Sequence, residues 1–151
     1  MFLDYTLPNR EFGEAVSDFL EKIELQDIDA ITTPIVLNEV SYILLLQRGM
    51  VILDTENRDA VRSRIKENSH FAHQCYDAVD MFNEFISNLD GLKLIPVHPE
   101  DYLQATDLGR NYNLLPMDAL HLSAMRRCRI RDIATRDRDF ERVDGIVVWS
   151  P

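Results

Sequence analysis

The chain has 151 residues, of which 46% are hydrophobic and 28% charged. This suits one globular domain that buries a core without disulfide staples. The formal net charge of -10 excludes a broad, sequence-independent grip on nucleic acid, which needs a basic footprint; it suits a site that gathers divalent cations, or a surface covered by a basic partner.

In chain order, Met1-Phe2-Leu3-Asp4 reads as a short buried strand. Residues 11–24 read as a helix with Phe12, Val16, Phe19, Leu20 and Ile23 on one face. Residues 29–32 form a second strand. Thr33-Pro34 opens a helix, a hydroxyl cap followed by proline at the first helical position, which runs to about Gln47 and stops at Gly49. Residues 54–67 predict another helix, and residues 70–89 a long one with Phe71, Cys75, Val79, Phe82, Phe85, Ile86 and Leu89 at helical spacing. Asp90-Gly91 turns the chain into a strand over residues 92–97. His98-Pro99-Glu100-Asp101 starts a helix that ends near Tyr112, and Pro116 opens one that continues through Arg126. Residues 131–135 and 146–149 are the last strands, with a polar loop between them. There is no internal repeat and no linker. Alternating strands and helices imply an α/β fold, a three-layer α/β/α sandwich with a mostly parallel central sheet, and in such sheets ligands bind beyond the carboxyl ends of the strands.

Cys75 and Cys128 lack metal-ligand spacing and read as two buried thiols in a reducing cytosol. No secretory signal pattern opens the chain, and the apolar run at residues 40–46 is too short to span a membrane. The expected location is therefore cytoplasmic.

Four carboxylates sit beside core-forming segments, where an uncompensated charge is costly. Asp4 ends the apolar opening. Glu39 lies within Ile35-Val36-Leu37-Asn38-Glu39-Val40, on one helical face with Ile35, Val36, Tyr42 and Ile43. Asp118 lies within Leu114-Leu115-Pro116-Met117-Asp118-Ala119-Leu120-His121, and Asp137 follows Ile133-Ala134-Thr135-Arg136. Each has a structural explanation alone, such as a cap, a helix-dipole partner or a polar loop. Together they suggest a shared divalent ion in one crevice. Mg²⁺ and Mn²⁺ are hard cations that take oxygen ligands, activate bound water and neutralise charge on a phosphoryl group. Around the fourth acid lie Arg126, Arg127, Arg129, Arg131, Arg136, Arg138 and Arg142. They read either as intramolecular ion pairs or, for Arg136 and Arg138, as phosphate contacts for RNA. His121, one turn after Asp118, reads as a core or supporting histidine.

These residues carry a resemblance. The stretches Leu115-Pro116-Met117-Asp118-Ala119-Leu120-His121-Leu122-Ser123-Ala124, Ile133-Ala134-Thr135-Arg136-Asp137-Arg138-Asp139-Phe140 and Gly145-Ile146-Val147-Val148-Trp149-Ser150-Pro151 resemble a PIN-domain protein, of the VapC-like toxin type or its stand-alone prokaryotic relatives. The resemblance runs from Phe2 to Pro151 and implies a single nuclease domain over residues 1–151. It maps the family's four acids to Asp4, Glu39, Asp118 and Asp137, as catalytic residues and metal ligands, with Thr6, Thr135 and Asp139 in support. Tyr5-Thr6-Leu7-Pro8 departs from the family's usual Thr-Asn at this point, although Thr6 keeps a polar oxygen. Such proteins are similar in being Mg²⁺- or Mn²⁺-dependent single-strand endoribonucleases, often homodimeric and often held inactive by a small antitoxin. Alternatives are a catalytically inactive assembly module of the same fold and an RNA-processing nuclease without an antitoxin. An aspartyl phosphatase needs two acids one residue apart at the opening, and Asp4-Tyr5-Thr6 has one.

Overall fold

The structure is a computed structural model that describes residues 1–6 and 13–150. The expected helical residues Glu11 and Phe12, the Leu7-Pro8 departure and the terminal Pro151 lie outside the described residues. The chain divides into two compact units. One is built from the described residues among 1–17 and 96–151, Phe2 excepted; the other from Phe2 and residues 18–95.

The second unit contains helix α2 from Asp18 onward (α2 is Gly13–Glu24), β1 (Ala30–Thr32), α3 (Pro34–Leu53), α4 (Arg58–Glu67), α5 (Ser69–Ser87) and β2 (Leu92–Leu94). β1 and β2 pair in parallel, Ala30 opposite Leu92 and Thr32 opposite Leu94. Thr33 caps α3, its hydroxyl accepting from the Val36 N–H, and Pro34 follows at the first helical position. The helix does not stop at Gly49, as its sequence suggested, but continues to Leu53 and closes on Asp54 in the left-handed conformation. Gly49 answers a packing need instead. A Cβ there would lie 2.4 Å from Val61 Cγ1, so α4 approaches α3 as only glycine permits. Around it, Leu46, Val61, Phe71 and Cys75 form a buried cluster, and burial raises the Cys75 thiol pKa. Cys128, in the other unit, is only half-buried, so one of the two expected buried thiols is not one. At the β2 end, Gly91 passes the Ile23 carbonyl so closely that a Cβ would sit 1.8 Å from its oxygen.

The apolar run of residues 40–46 belongs to a helix twenty residues long. By length and composition α3 could cross a membrane, with a mean hydropathy of 1.4, a property it shares with core helices. It packs against α4 and α5, with Val40, Leu44, Leu46 and Gly49 buried.

The first unit contains α1 (Phe2–Thr6, Phe2 itself grouping with the other unit), the start of α2, α6 (Pro99–Tyr112), α7 (Pro116–Arg127), β3 (Asp132–Ala134), a 3-10 turn (Arg138–Arg142) and β4 (Val147–Trp149). The opening segment is not the strand its apolar pattern suggested. Asp4 and Tyr5 donate their N–H groups to the Met1 carbonyl at 3.0 and 3.3 Å, so the backbone is satisfied within a helical turn and Asp4 does not sit at a strand end. β3 and β4 pair in parallel, Asp132 opposite Val147 and Ala134 opposite Trp149. All strand pairing among the described residues is thus parallel, with one two-stranded ladder in each unit.

α6 and α7 pack against each other through Ala105, Leu108, Leu114, Ala119 and Leu122, which form one buried cluster with Phe140 and Val143. Asn113, left-handed, closes α6, and Pro116 starts α7 after Leu114 and Leu115. A buried ion pair ties the two helices. Asp101 is 1% exposed. Its carboxylate accepts from Arg127 Nε at 2.9 and 3.0 Å and from the His98 N–H at 2.9 Å, while Arg127 Nη2 donates to the Pro96 carbonyl at 2.7 Å. Burial alone would raise the Asp101 pKa, but the bonds from Arg127 and His98 outweigh it and hold the carboxyl below its ordinary value of 3.8.

A carboxylate with a lowered folded pKa adds stability above the unfolded value and loses it as pH falls through the folded one. Asp101→Asn should therefore lower the melting temperature by several degrees at pH 7, because it leaves Arg127 without its charge partner. The gap between wild type and variant should shrink on acidification below 3.8. Melting curves of both proteins from pH 7 to pH 3 check this; a gap that is constant or widens towards acid would show that the ion pair is not the source.

Candidate metal centre and nucleic-acid site

Two segments bring acids together in the first unit. Asp118 is the third residue of α7, after Pro116 and Met117, where the helix's unsatisfied N–H groups and dipole favour a carboxylate. The next residue, Ala119, is fully buried, as is Leu122 one turn on. Their burial sets the rotation of α7 and leaves Asp118 half-buried at the rim.

Asp137 and Asp139 come from the turn after β3. Thr135 is fixed by its N–H to the Trp149 carbonyl at 2.9 Å and accepts the Asp137 N–H on its hydroxyl at 3.1 Å. Asp137 then caps the 3-10 turn, its Oδ1 accepting from the Asp139 N–H at 2.9 Å. Phe140 anchors the turn in the same core that holds Ala119 and Leu122. Asp139 is ion-paired with Arg142, whose other nitrogen donates to the Asn113 carbonyl at 3.2 Å. The expected polar loop is therefore an ordered turn with a defined carboxylate geometry.

The result is a trio. One carboxylate oxygen from each of Asp118, Asp137 and Asp139 lies within 4.8 Å of the other two. The donor set is oxygen only, partly exposed and acidic, which fits a hard divalent cation such as Mg²⁺ or Mn²⁺ and does not fit a soft-ligand zinc site.

Of the four acids singled out by sequence, Asp118 and Asp137 thus meet. The third member is Asp139, which sequence placed only in support; its signal was the two-residue spacing from Asp137, which a tight turn converts into a pair. Asp4 is not a member of the trio. Its Oδ1 accepts from Arg136 Nη1 at 2.6 Å and its Oδ2 lies 3.0 Å from the Met1 amino group. Asp4 is accordingly joined to the loop that carries Asp137 through the residue next to it. Glu39 belongs to the other unit, half-buried on α3 between Asn38 and the buried Val40. Thr6 and His121 are both half-buried.

The arginine cluster is largely engaged within the protein. Arg127 holds Asp101, Arg136 holds Asp4 and Arg142 holds Asp139. Arg126 donates to the Tyr112 hydroxyl at 2.9 Å and lies over that ring, 5.2 Å from its centroid. For these four the reading as intramolecular partners describes the structure. Sequence reasoning missed the Asp101–Arg127 pair, because 26 residues separate the partners and pattern placed one at a helix start and the other in the arginine cluster.

Comparison with known proteins gives the family. The family model described as PIN domain matches residues 2–146. The chain belongs to the PIN-domain family. Its α/β organisation, with helices and parallel strands of the kind that build an α/β/α sandwich, is that family's. This PIN domain is also 31% identical over 84 residues to Ribonuclease VapC6 of Methanocaldococcus jannaschii, an alignment that takes in 56% of this chain and 55% of that protein. The match thus spans about half the length of the curated relative. No solved structure gives a significant match.

If the trio holds a divalent ion, the ion must stabilise the folded state. Mn²⁺ at a hundred times its Kd should raise stability by about 2.7 kcal/mol. Most of that gain should vanish in Asp118→Asn, while the metal-free variant melts no lower than wild type, since it carries less like charge in the trio. Thermal denaturation with and without Mn²⁺ measures both; equal metal-induced shifts in the two proteins would place the ion elsewhere.

Proposed function

We propose that this PIN domain is a metal-dependent, single-strand endoribonuclease, a phosphodiester hydrolase using Mg²⁺ or Mn²⁺. The observation that carries the reading is the convergence of Asp118, Asp137 and Asp139 in a chain that belongs to the PIN-domain family. The printed function of the relative, a ribonuclease, supports RNA as the substrate class. Asp118 and Asp137 serve as metal ligands and catalytic acids, with Asp139 beside them. The roles of Asp4 and Glu39 as the remaining catalytic acids rest on their sequence positions. Thr135 orients Asp137 through the hydroxyl that accepts its N–H, and Thr6 follows Asp4 in support.

A divalent ion bound by carboxylates supplies an activated water at neutral pH and neutralises charge on the scissile phosphate. The chain's own part is to fix the ligand oxygens on packed elements and to leave the site partly open. Arg138, exposed on the turn between Asp137 and Asp139, supplies a positive charge for a phosphate, and Arg136 becomes a second such contact when it leaves Asp4. Single-stranded or looped RNA suits an acidic protein with a small local basic footprint, because backbone contacts are then few.

The VapC-like resemblance extends the reading. The protein acts as one nuclease domain, a cytoplasmic homodimer and the toxin of a toxin–antitoxin pair, restrained by a small antitoxin protein. The restraint is tested by whether a short neighbouring reading frame encodes a protein that binds this chain and blocks cleavage.

Purified protein should cleave single-stranded RNA with Mg²⁺ or Mn²⁺, with Mn²⁺ at least as effective, and should stop on chelation. Asp118→Asn and Asp137→Asn should each lower kcat at least 100-fold, roughly the loss expected when one electrostatic element of a hydrolytic site is removed. Gel assays on a labelled oligonucleotide decide it. Cleavage that persists in excess chelator, or in both variants, would remove the metal mechanism.

A further inference from the structure

Asp4 and Arg136 are 132 residues apart in sequence and meet at 2.6 Å. The contact is a charge-assisted bond between Nη1 and Oδ1, and the two ends differ in exposure. The Asp4 side chain is 15% exposed and the Arg136 side chain 51%. The carboxylate is held a second time by the Met1 amino group, 3.0 Å from Oδ2, whereas the guanidinium stands on a long side chain half open to solvent. Arg136 also sits between Thr135, whose hydroxyl positions Asp137, and Asp137 itself. A cation therefore already lies on Asp4, at the foot of the loop that carries two of the three clustered acids.

We propose that Arg136 is the internal counter-cation of Asp4, and that a divalent ion using Asp4 as a ligand must displace it. This rests on the metal-dependent reading of the acids. Arg136 shares Asp4 with the Met1 amino group and occupies the Oδ1 that a divalent ion would take. When a divalent ion enters, Asp4 Oδ1 exchanges the guanidinium for the ion, and the guanidinium moves to solvent on the same side as the loop. Arg136 is then a positioning residue that sets how tightly the ion is held. The competing explanation is a structural tether, in which the pair merely fastens the opening helix to the loop. A tether predicts lost stability on substitution and no gain in metal affinity.

The test is calorimetric titration of Mn²⁺ into the full chain, without RNA. Arg136→Gln should bind Mn²⁺ about tenfold more tightly than wild type, the effect of removing one charge-assisted competitor. Arg138→Gln, which removes a positive charge two residues away, should tighten binding less than about twofold, as expected of a screened surface charge. Arg136→Lys, which keeps the charge but loses the planar fork, should fall between wild type and Arg136→Gln, and it serves if the glutamine variant does not fold. In an Asp4→Asn background, Arg136→Gln should tighten binding no more than Arg138→Gln does. Unchanged or weaker Mn²⁺ affinity in Arg136→Gln, or equal tightening by Arg138→Gln, would overturn the counter-cation role while leaving the metal site in place. Failure of wild type and every variant to bind Mn²⁺ would overturn both.

Discussion

The acid trio depends on the packing of α7 against the 3-10 turn. Ala119 and Leu122 from the helix, Phe140 from the turn and Val143 just after it share one buried cluster, and two of the three clustered acids, Asp118 and Asp139, are the immediate neighbours of Ala119 and Phe140. Two unit charges 4 Å apart repel by about 4 kcal/mol at the effective dielectric near a protein surface, so three carboxylates do not gather unaided. Burying a single Leu, Val or Phe side chain contributes about 1.5–3 kcal/mol, and the cluster holds seven buried residues. Apolar burial is thus large enough to hold the carboxylates in a geometry they would otherwise leave. The same logic explains why the site sits at the rim of the core, where the backbone is fixed and the charges still reach water.

The charge pattern follows from this crowding. The chain carries a net charge of -10, yet three acids of the first unit have an arginine in contact: Asp139 with Arg142, Asp4 with Arg136, and the buried Asp101 with Arg127. Three of the seven arginines that read in sequence as a basic cluster are thus counter-ions within the protein. The exposed pairs contribute little stability individually. Under the proposed exchange, the guanidinium on Asp4 gives way to a metal ion and turns towards a phosphate.

Much of the fold was legible from pattern. Pro34, Pro99 and Pro116 each mark a helix start, and the apolar spacing of Phe71, Cys75, Val79 and Phe82 marks the buried face of α5. Tertiary constraints account for the failures. Gly49 looked like a helix stop because glycine commonly ends helices, but it is demanded by the approach of Val61, a contact that local sequence does not encode. Met1-Phe2-Leu3 has the composition of a buried strand, and local hydrogen bonds to the Met1 carbonyl won instead. Within the site, Asp118 and Asp137 stood out as acids embedded in apolar segments. The place of Asp139 in the cluster and the pairing of Asp4 with Arg136 did not, because they depend on a tight turn and on a contact across 132 residues.

The central claim is that Asp118, Asp137 and Asp139 form a divalent-cation site. Crystals soaked in Mn²⁺ and measured at the manganese absorption edge test it most directly. The account predicts an anomalous peak coordinated by carboxylate oxygens of that trio, at the roughly 2.0–2.2 Å expected for a small hard divalent cation. A peak bound elsewhere, with the three carboxylates directed away from one another, would contradict it.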